Sequence, residues 1–295
     1  MALLLKSMKL RLTGSSTALF STWYFLEDYG ILFDAGDGVV SALNQKLGKI
    51  KHAFISHEHR DHLSALYRLN PLNENVEIYY PKDAESFATL EAFSRKFDSD
   101  KPLKNWQPIV DGDTINIRQD LVVKTLKNNH ILDAPNKHKS LSYKLLDRKQ
   151  KLKSEYQNLS STEIQNLIKQ VGKETLTSEV FSPILTYSGD TPIGDYSRFD
   201  HSNILIHEST FIDRYSEDIA PHAREKHSSL EEVMEMAANI KLNTLILGHF
   251  SMRYNVEQID EEIKKLCTFY GLKIPVYRVV PGKVNYDILK QNPLN

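Results

Sequence analysis

Short apolar runs, rich in β-branched and aromatic residues, follow one another along the first part of the chain. Runs of this kind, bounded by glycine and polar residues, are typical of β-strands. They predict strands at residues 10–12, 23–26, 31–33, 53–55, 76–80 and 121–126. Residues 14–16 and 28–30 are expected to separate the first three strands, and residues 111–113 to form a turn.

Helical signals occur at two places in this part of the chain. Pro81 is expected to open a helix that continues through Phe97, because proline is favoured in the first turn of a helix. Ser160 and Glu163 form a capping box, apolar residues follow at helical spacing, and Gly172 is expected to end that helix.

The rest of the chain alternates between strands and helices. Strands are predicted at residues 184–187, 204–207, 244–247 and 276–279, and helices at 228–240 and 258–270. No short-period repeat or low-complexity linker interrupts the sequence. The pattern therefore predicts one compact α/β domain over residues 1–295, made of two similar halves with helices outside the sheets.

Composition narrows the class of protein. The chain has 295 residues, 37 Lys and Arg against 38 Asp and Glu, and the single cysteine Cys267. Balanced charge excludes nucleic-acid binding driven by the net charge of the whole protein, although a local basic patch remains possible. One cysteine forms no intrachain disulfide, and no long apolar run predicts a membrane span. These features favour a cytoplasmic enzyme or binding domain.

A cluster of metal-binding residue types follows the predicted strand at residues 53–55. His57, His59, Asp61 and His62 form a His-x-His-x-Asp-His run. Residues two apart in an extended segment point to the same side, so His57 and His59 can grip one ion, and the next pair a second. Imidazole and carboxylate ligands favour zinc, with manganese or iron possible. The alternative is a solvated polar loop.

Further candidate ligands follow other predicted strands. His130, Asp190 and His249 each stand just after one, and Asp190 occupies a Ser-Gly-Asp-Thr turn. A single histidine after a strand is more often a surface residue. Several together indicate a site, because functional residues of sheet proteins gather at one edge.

Taken together, these segments resemble the metallo-β-lactamase superfamily and, within it, the ribonuclease Z group, which matures tRNA 3′ ends. The matching segments are residues 33–38, 56–62, 130, 187–191, 207–210, 227–229 and 248–254, in the family's order. The resemblance extends from about residue 9 to 280. It implies an αββα four-layer sandwich and a homodimer.

The resemblance also implies the ligands of two zinc ions. His57, His59 and His130 would hold the first ion; Asp61, His62 and His249 would hold the second. Asp190 would bridge them. Asp61 is also counted among the catalytic residues.

Phosphodiester cleavage by a metal-bridged hydroxide is the activity that the resemblance implies. The leaving 3′-oxygen needs a proton, and His227 matches the family's proton donor. Glu208 would hold its imidazole and raise its pKa. A helix-capping neighbour is the alternative for His227, and a surface salt bridge for Glu208.

Other candidates have weaker support. Asp34 and Asp37 flank a glycine turn and could orient metal-bound imidazoles, although turn formation explains them nearly as well. Arg253 could bind a substrate phosphate or form a structural ion pair. Met252 is expected to be a packing residue.

The sequence departs from the group in one region. Many ribonuclease Z enzymes carry an arm with a Gly-Pro-rich tip that grips tRNA. Here the corresponding stretch, between Tyr143 and Tyr187, holds a short helix of unassigned role instead.

Three functions therefore stay open. The first is a zinc endoribonuclease that trims pre-tRNA 3′ trailers, and the second is a hydrolase of small or cyclic phosphodiesters. The third is a non-catalytic or redox member of the fold, which His59 disfavours because the redox branch usually has glutamate there. The narrow motifs favour the nuclease.

Overall fold

The computed structural model describes residues 10–97, 105–131, 137–213 and 219–295. Its strands are β1 Leu12–Thr17, β2 Ser21–Leu26, β3 Ile31–Phe33, β4 His52–Phe54, β5 Glu77–Pro81, β6 Trp106–Ile109, β7 Thr114–Arg118, β8 Leu121–Lys127, β9 Leu141–Leu152, β10 Thr177–Tyr187, β11 Ser202–Glu208, β12 Leu242–Gly248 and β13 Val276–Arg278. Its α-helices are α1 Val39–Leu43, α2 Arg60–Leu63, α3 Leu66–Leu72, α4 Ser86–Phe97, α5 Ser161–Val171, α6 Lys173–Leu176, α7 Pro221–Arg224, α8 Leu230–Asn239 and α9 Val256–Phe269. Short 3₁₀ helices occupy Asn44–Lys49, Ser154–Tyr156, Tyr196–Arg198 and Ile288–Lys290.

Two mixed sheets contain these strands. The first has the order β1-β2-β3-β4-β5-β6 and the second β13-β12-β11-β10-β9-β8-β7. In each sheet the strands met first along the chain pair antiparallel and the later ones parallel. On the basis of this shared order, we propose that the chain is one domain built of two similar halves.

Alternating side chains divide the apolar residues into three layers. On β2, Tyr24 and Leu26 face the core between the sheets, whereas Trp23 and Phe25 face the helices outside the first sheet. A third apolar cluster joins the second sheet to α8 and α9. Helices thus cover both sheets, which gives the αββα sandwich that the family resemblance implies.

The first hairpin differs from its prediction. Residues 14–16 lie inside β1 and do not separate two strands, and the turn falls at residues 18–20. Gly14 is needed inside the strand, because a Cβ there would stand 2.6 Å from Cδ1 of Tyr24. The apolar composition of the actual turn, Ala18-Leu19-Phe20, concealed it from sequence reasoning.

Two other predictions need correction. Pro81 ends strand β5, and the helix predicted to start there begins only at Ser86. The strand predicted at 184–187 extends back to Thr177 and pairs along β9, which was not predicted. The part of this ribbon that reaches beyond β8 leads to α5, whose capping box at Ser160 is confirmed.

Within the described ranges, the helices are all too short or too polar to cross a bilayer.

Candidate metal centre

The seven predicted metal ligands come from segments that follow β4, β8, β10 and β12. Tight backbone contacts fix these segments in place. His57 forms an antiparallel bridge with Ser140, which joins the loop after β4 to the start of β9. Gly189 has a φ of +60°, and a Cβ there would stand 2.8 Å from Cβ of Ser56. This close approach brings Asp190 next to the histidine run.

The first group of ligand atoms comes from His57, His59, His130 and Asp190. Their ligand atoms all lie within 4.8 Å of one another. Nε2 of His130 is 3.1 Å from Nδ1 of His59, and Nε2 of His57 is 3.7 Å from Oδ2 of Asp190. His59 is exposed and the other three are buried, so the group opens to solvent on one side.

The second group comes from Asp61, His62 and His249. Nε2 of His249 lies 3.4 Å from Oδ2 of Asp61 and 3.2 Å from Oδ2 of Asp190. Nε2 of His62 lies at the same two distances from these two oxygens. One carboxylate oxygen, Oδ2 of Asp190, therefore stands between both groups of histidines.

The chemistry of these atoms fits metal ions. Nε2 of His57 and Nε2 of His62 are buried and make no hydrogen bond to the described residues. Burial lowers the pKa of His57, and lowers that of His130 to about 4, so these two imidazoles are neutral with a lone pair to offer. A cation between the groups would satisfy the orphaned nitrogens and the facing carboxylates together.

Asp34 forms hydrogen bonds with one predicted ligand and with two residues next to the predicted ligands. The buried Asp34 carboxylate accepts from Nδ1 of His62 at 2.7 Å and from the Ser56 hydroxyl at 2.8 Å. It also accepts from the Tyr187 hydroxyl. Such partners fix the tautomer of a ligating histidine, so that its other nitrogen faces the metal. Sequence reasoning singled out Asp34 for this position but gave no role to Ser56 or Tyr187.

The buried Glu208 and Thr210 form a hydrogen-bonded group with the partly buried His227 beside the second set of predicted ligands. Nδ1 of His227 lies 2.9 Å from Oε1 of Glu208. The Thr210 hydroxyl lies 2.6 Å from Oε2 of Glu208 and 2.8 Å from Nδ1 of His249. Thr210 therefore connects the carboxylate behind His227 with a predicted ligand, a link that sequence reasoning missed.

The charge state of His227 follows from this arrangement. Burial opposes the charged imidazole, but the Glu208 carboxylate outweighs it and raises the pKa of His227 to about 9. The pKa of Glu208 is correspondingly lowered, because the attraction of His227 outweighs the effect of burial. The pair thus stands as an imidazolium and a carboxylate near neutral pH.

Two other candidates lie apart from the ligands. Asp37 is exposed and accepts from the backbone N–H of Gly38, which agrees with turn formation. Arg253 is exposed and lies over the Phe211 ring, with 5.5 Å between Cζ and the ring centroid. Phe211, His227, Arg224 and Pro192 line part of a cavity of about 330 Å³ beside the imidazole of His227.

The sequence is similar to a known family and to proteins of several organisms. The Metallo-beta-lactamase superfamily profile matches residues 16–131. A tRNase Z of Arabidopsis thaliana is 30% identical over 268 residues, covering 86% of this chain and 89% of the relative. A ribonuclease Z of Thermococcus kodakarensis is 29% identical over 271 residues, covering 84% of this chain and 83% of the relative.

Solved structures agree on the fold. The short form of human tRNase Z superposes with a TM-score of 0.59 at 18% identity, covering 93% of this chain and 98% of that one. Zn²⁺-bound PqqB from Methylobacterium extorquens gives 0.63 at 11% identity, covering 93% and 99%.

Fold and site together define a metal-dependent hydrolase of the metallo-β-lactamase type. Within that superfamily, the chain belongs to the ribonuclease Z family.

Proposed function

We propose that this protein is a zinc endoribonuclease that cleaves the 3′ trailer from pre-tRNA. The observation that carries the proposal is the convergence of six proposed ligand side chains and the His227–Glu208 pair around a seventh, Asp190. Relatives over most of the chain are named tRNase Z or ribonuclease Z, which supports an RNA substrate.

We propose two zinc ions as the cofactors. His57, His59 and His130 would hold one, Asp61, His62 and His249 the other, and Asp190 both. Two bound ions would lower the pKa of water and neutralise the oxygens of a phosphodiester. The histidine-rich donor set supports zinc over magnesium or calcium, which prefer oxygen ligands.

The chain's own residues would then handle the proton. A charged His227 can donate to the leaving 3′-oxygen, and it regains charge because Glu208 stays ionised behind it. Nδ1 of His227 is 4.0 Å from Oδ2 of Asp190, so the ring of the proposed donor lies beside the proposed bridging ligand. Arg253, beside the cavity at His227, is the proposed contact for a flanking phosphate.

Asp34 has a proposed role behind the ligands. Its carboxylate would hold His62 in the tautomer that presents Nε2 to the second ion, and Ser56 would share that carboxylate. The exposed Asp37 carboxylate instead accepts from the backbone N–H of Gly38 within its own turn.

A small or cyclic phosphodiester is the second candidate substrate. The part of the chain that corresponds to the family's tRNA-gripping arm supports this candidate, because the β9–β10 ribbon leads to α5 and carries no Gly-Pro-rich tip.

We also propose that the protein is a homodimer in the cytoplasm. The buried free thiol of Cys267 is compatible with a reducing compartment.

The test is a side-by-side assay of the zinc-loaded protein. It should cleave a 3′-extended pre-tRNA at the end of the acceptor stem, with far higher kcat/KM than for bis(p-nitrophenyl) phosphate. Asp190→Asn is the inactive control for contaminating nucleases. Efficient hydrolysis of the chromogenic diester with intact pre-tRNA would favour the small-substrate candidate.

A further inference from the structure

Two large apolar side chains stand exposed at the tip of the β1–β2 hairpin. Leu19 exposes 88% of its surface and Phe20 65%. Leu19 also has a φ of +69°, a left-handed conformation that is unfavourable for a residue with a branched side chain. Exposed apolar surface and backbone strain at one turn both cost stability, and such strain tends to occur at functional sites.

Several hydrogen bonds hold the tip at the metal centre. The backbone N–H of Leu19 donates to Oδ2 of Asp61 at 3.1 Å, and that of Ala18 to the carbonyl of Phe250 at 3.3 Å. Below the tip, the Ser16 hydroxyl accepts from the backbone N–H of His249 at 2.9 Å. The tip is thus bonded to one proposed ligand and to the segment that carries another.

Exposed apolar surface continues on that neighbouring segment. Met252 follows His249 by three residues and exposes 54% of its surface, which corrects its expected role in packing. Leu19, Phe20 and Met252 are therefore carried by two segments that the Ala18–Phe250 hydrogen bond joins.

A chain of contacts leads from the hairpin tip to the proposed proton donor, His227. The ring of His227 stacks on that of His249 with 5.5 Å between centroids, and Nε2 of His249 lies 3.4 Å from Oδ2 of Asp61. That same oxygen accepts from Leu19. If the leaving 3′-oxygen lies at His227, the nucleoside that keeps the phosphate lies towards the hairpin tip.

Resting on the proposed function, we propose that Phe20 and Leu19 form a stacking platform for the base of the first trailer nucleotide. Aromatic side chains bind the faces of single-stranded bases without regard to sequence. The hydrogen bonds of Ala18 and Leu19 anchor the hairpin, and the side chains of Leu19 and Phe20 are exposed, so the platform is in place before RNA binds. The site would then select substrates with an unpaired nucleotide directly 3′ of the cleaved bond.

The experiment combines a protein variant with an altered RNA. kcat/KM is measured for a 3′-extended pre-tRNA and for the same RNA with an abasic first trailer nucleotide. On the intact RNA, Phe20→Ala should lower kcat/KM about 5- to 150-fold, the usual contribution of one stacked base. On the abasic RNA, the wild type should show a similar loss and Phe20→Ala no further loss, because both changes remove one contact.

Two further variants control for structure. Phe20→Trp keeps a flat ring and should retain near-wild-type kcat/KM on the intact RNA. Phe269→Ala removes an equally prominent phenylalanine, 77% exposed and packed on Tyr270, and should leave kcat/KM unchanged.

Two results would overturn the platform while the ribonuclease function stands. The first is a further loss of kcat/KM when Phe20→Ala is assayed on the abasic RNA, and the second is wild-type kcat/KM for Phe20→Ala on the intact RNA. A wild-type protein that leaves the intact RNA uncut would overturn the proposed function, and the platform with it.

Discussion

The side-chain hydroxyl of Thr210 lies 2.8 Å from Nδ1 of His249 and 2.6 Å from Oε2 of Glu208. A hydroxyl has one proton to donate, and the carboxylate, as an acceptor only, takes it. Its oxygen is then left to accept from Nδ1–H of His249, so Nε2 is the nitrogen of that ring that faces Asp61 and Asp190. One threonine thus sets the tautomer of a proposed ligand and braces the carboxylate behind His227.

Removing this hydroxyl should weaken the second metal position. Thr210→Val keeps the shape of the side chain but cannot accept from His249, so metal affinity or activity should fall about 10- to 100-fold. Thr210→Ser restores the hydroxyl and should recover most of the loss. Zinc titration with a chromogenic chelator measures the affinity, and equal affinities for Thr210→Val and wild type would remove Thr210 from this role.

Asp190 supplies a carboxylate oxygen that faces both groups of histidines, 3.2 Å from Nε2 of His62 and 3.7 Å from Nε2 of His57. Asp190→Ala should lower kcat by several orders of magnitude, because both metal positions lose a ligand. Asp37→Ala is the matched control, since that carboxylate is exposed and bonded within its own turn. Near-normal turnover by Asp190→Ala would show that the bridging assignment is wrong.

Substrates with different leaving groups distinguish the role of a proton donor from that of a metal ligand. His227→Ala should keep both metals and slow RNA cleavage about 10²–10⁴-fold, the usual contribution of general acid catalysis. The loss should shrink for p-nitrophenyl diesters, whose leaving group departs without a proton. Glu208→Gln should show the same dependence more weakly, because it acts only through the imidazole. Loss of zinc from His227→Ala, or an equal loss on both substrates, argues against the acid role.

Glu27 gives a prediction about stability that is independent of the metal centre. Its side chain is 5% exposed and pairs with Lys46, Lys49 and Arg11. Burial raises the pKa of Glu27, but hydrogen bonds from Lys46 and Lys49 outweigh burial and lower it to about 2. A lowered folded-state pKa stabilises the protein above the unfolded-state pKa, and this stabilisation is lost as the pH falls towards 2.

Glu27→Gln should therefore lower the free energy of unfolding by about 1–2 kcal/mol near neutral pH, a value reduced for the half-exposed partners. The difference from wild type should close as the pH falls below about 4.5, the usual pKa of a glutamate. Urea unfolding at several pH values measures it. Glu262→Gln, which breaks an exposed pair with Lys265, should have little effect at any pH. If the difference in unfolding free energy between Glu27→Gln and wild type does not change with pH, the ion pairs of Glu27 are not its cause.

The sequence allowed the convergence of the seven proposed ligands to be predicted, because their signals are local. His57 and His59 are two residues apart just after a strand, and side chains at this spacing in an extended segment point to the same side. The strands that bury large apolar residues, such as β2 and β11, were predicted for a similar reason. Strand β9 was missed because its second half is polar and exposed, as the burial of Leu141 but not of Lys151 illustrates.

Contacts between distant segments could not be predicted. Tyr187 reaches Asp34 across 153 residues of sequence, and Thr210 reaches His249 across 39. Neither separation leaves a spacing that a single sequence reveals, because the first contact depends on how the two sheets pack and the second on which strands are neighbours within one sheet. The exposed turn at Leu19 was hidden for a different reason: its residues are apolar, whereas turns are recognised by glycine, proline and small polar residues.

A centre for two metal ions held by seven side chains underlies the proposed function. The metal content of protein purified without chelators, measured by inductively coupled plasma mass spectrometry, tests for this centre. We expect close to two zinc ions per chain, and a lower count for His249→Ala and for His59→Ala. A wild-type content between zero and one ion per chain, after zinc has been supplied in excess and the unbound metal removed, would contradict it.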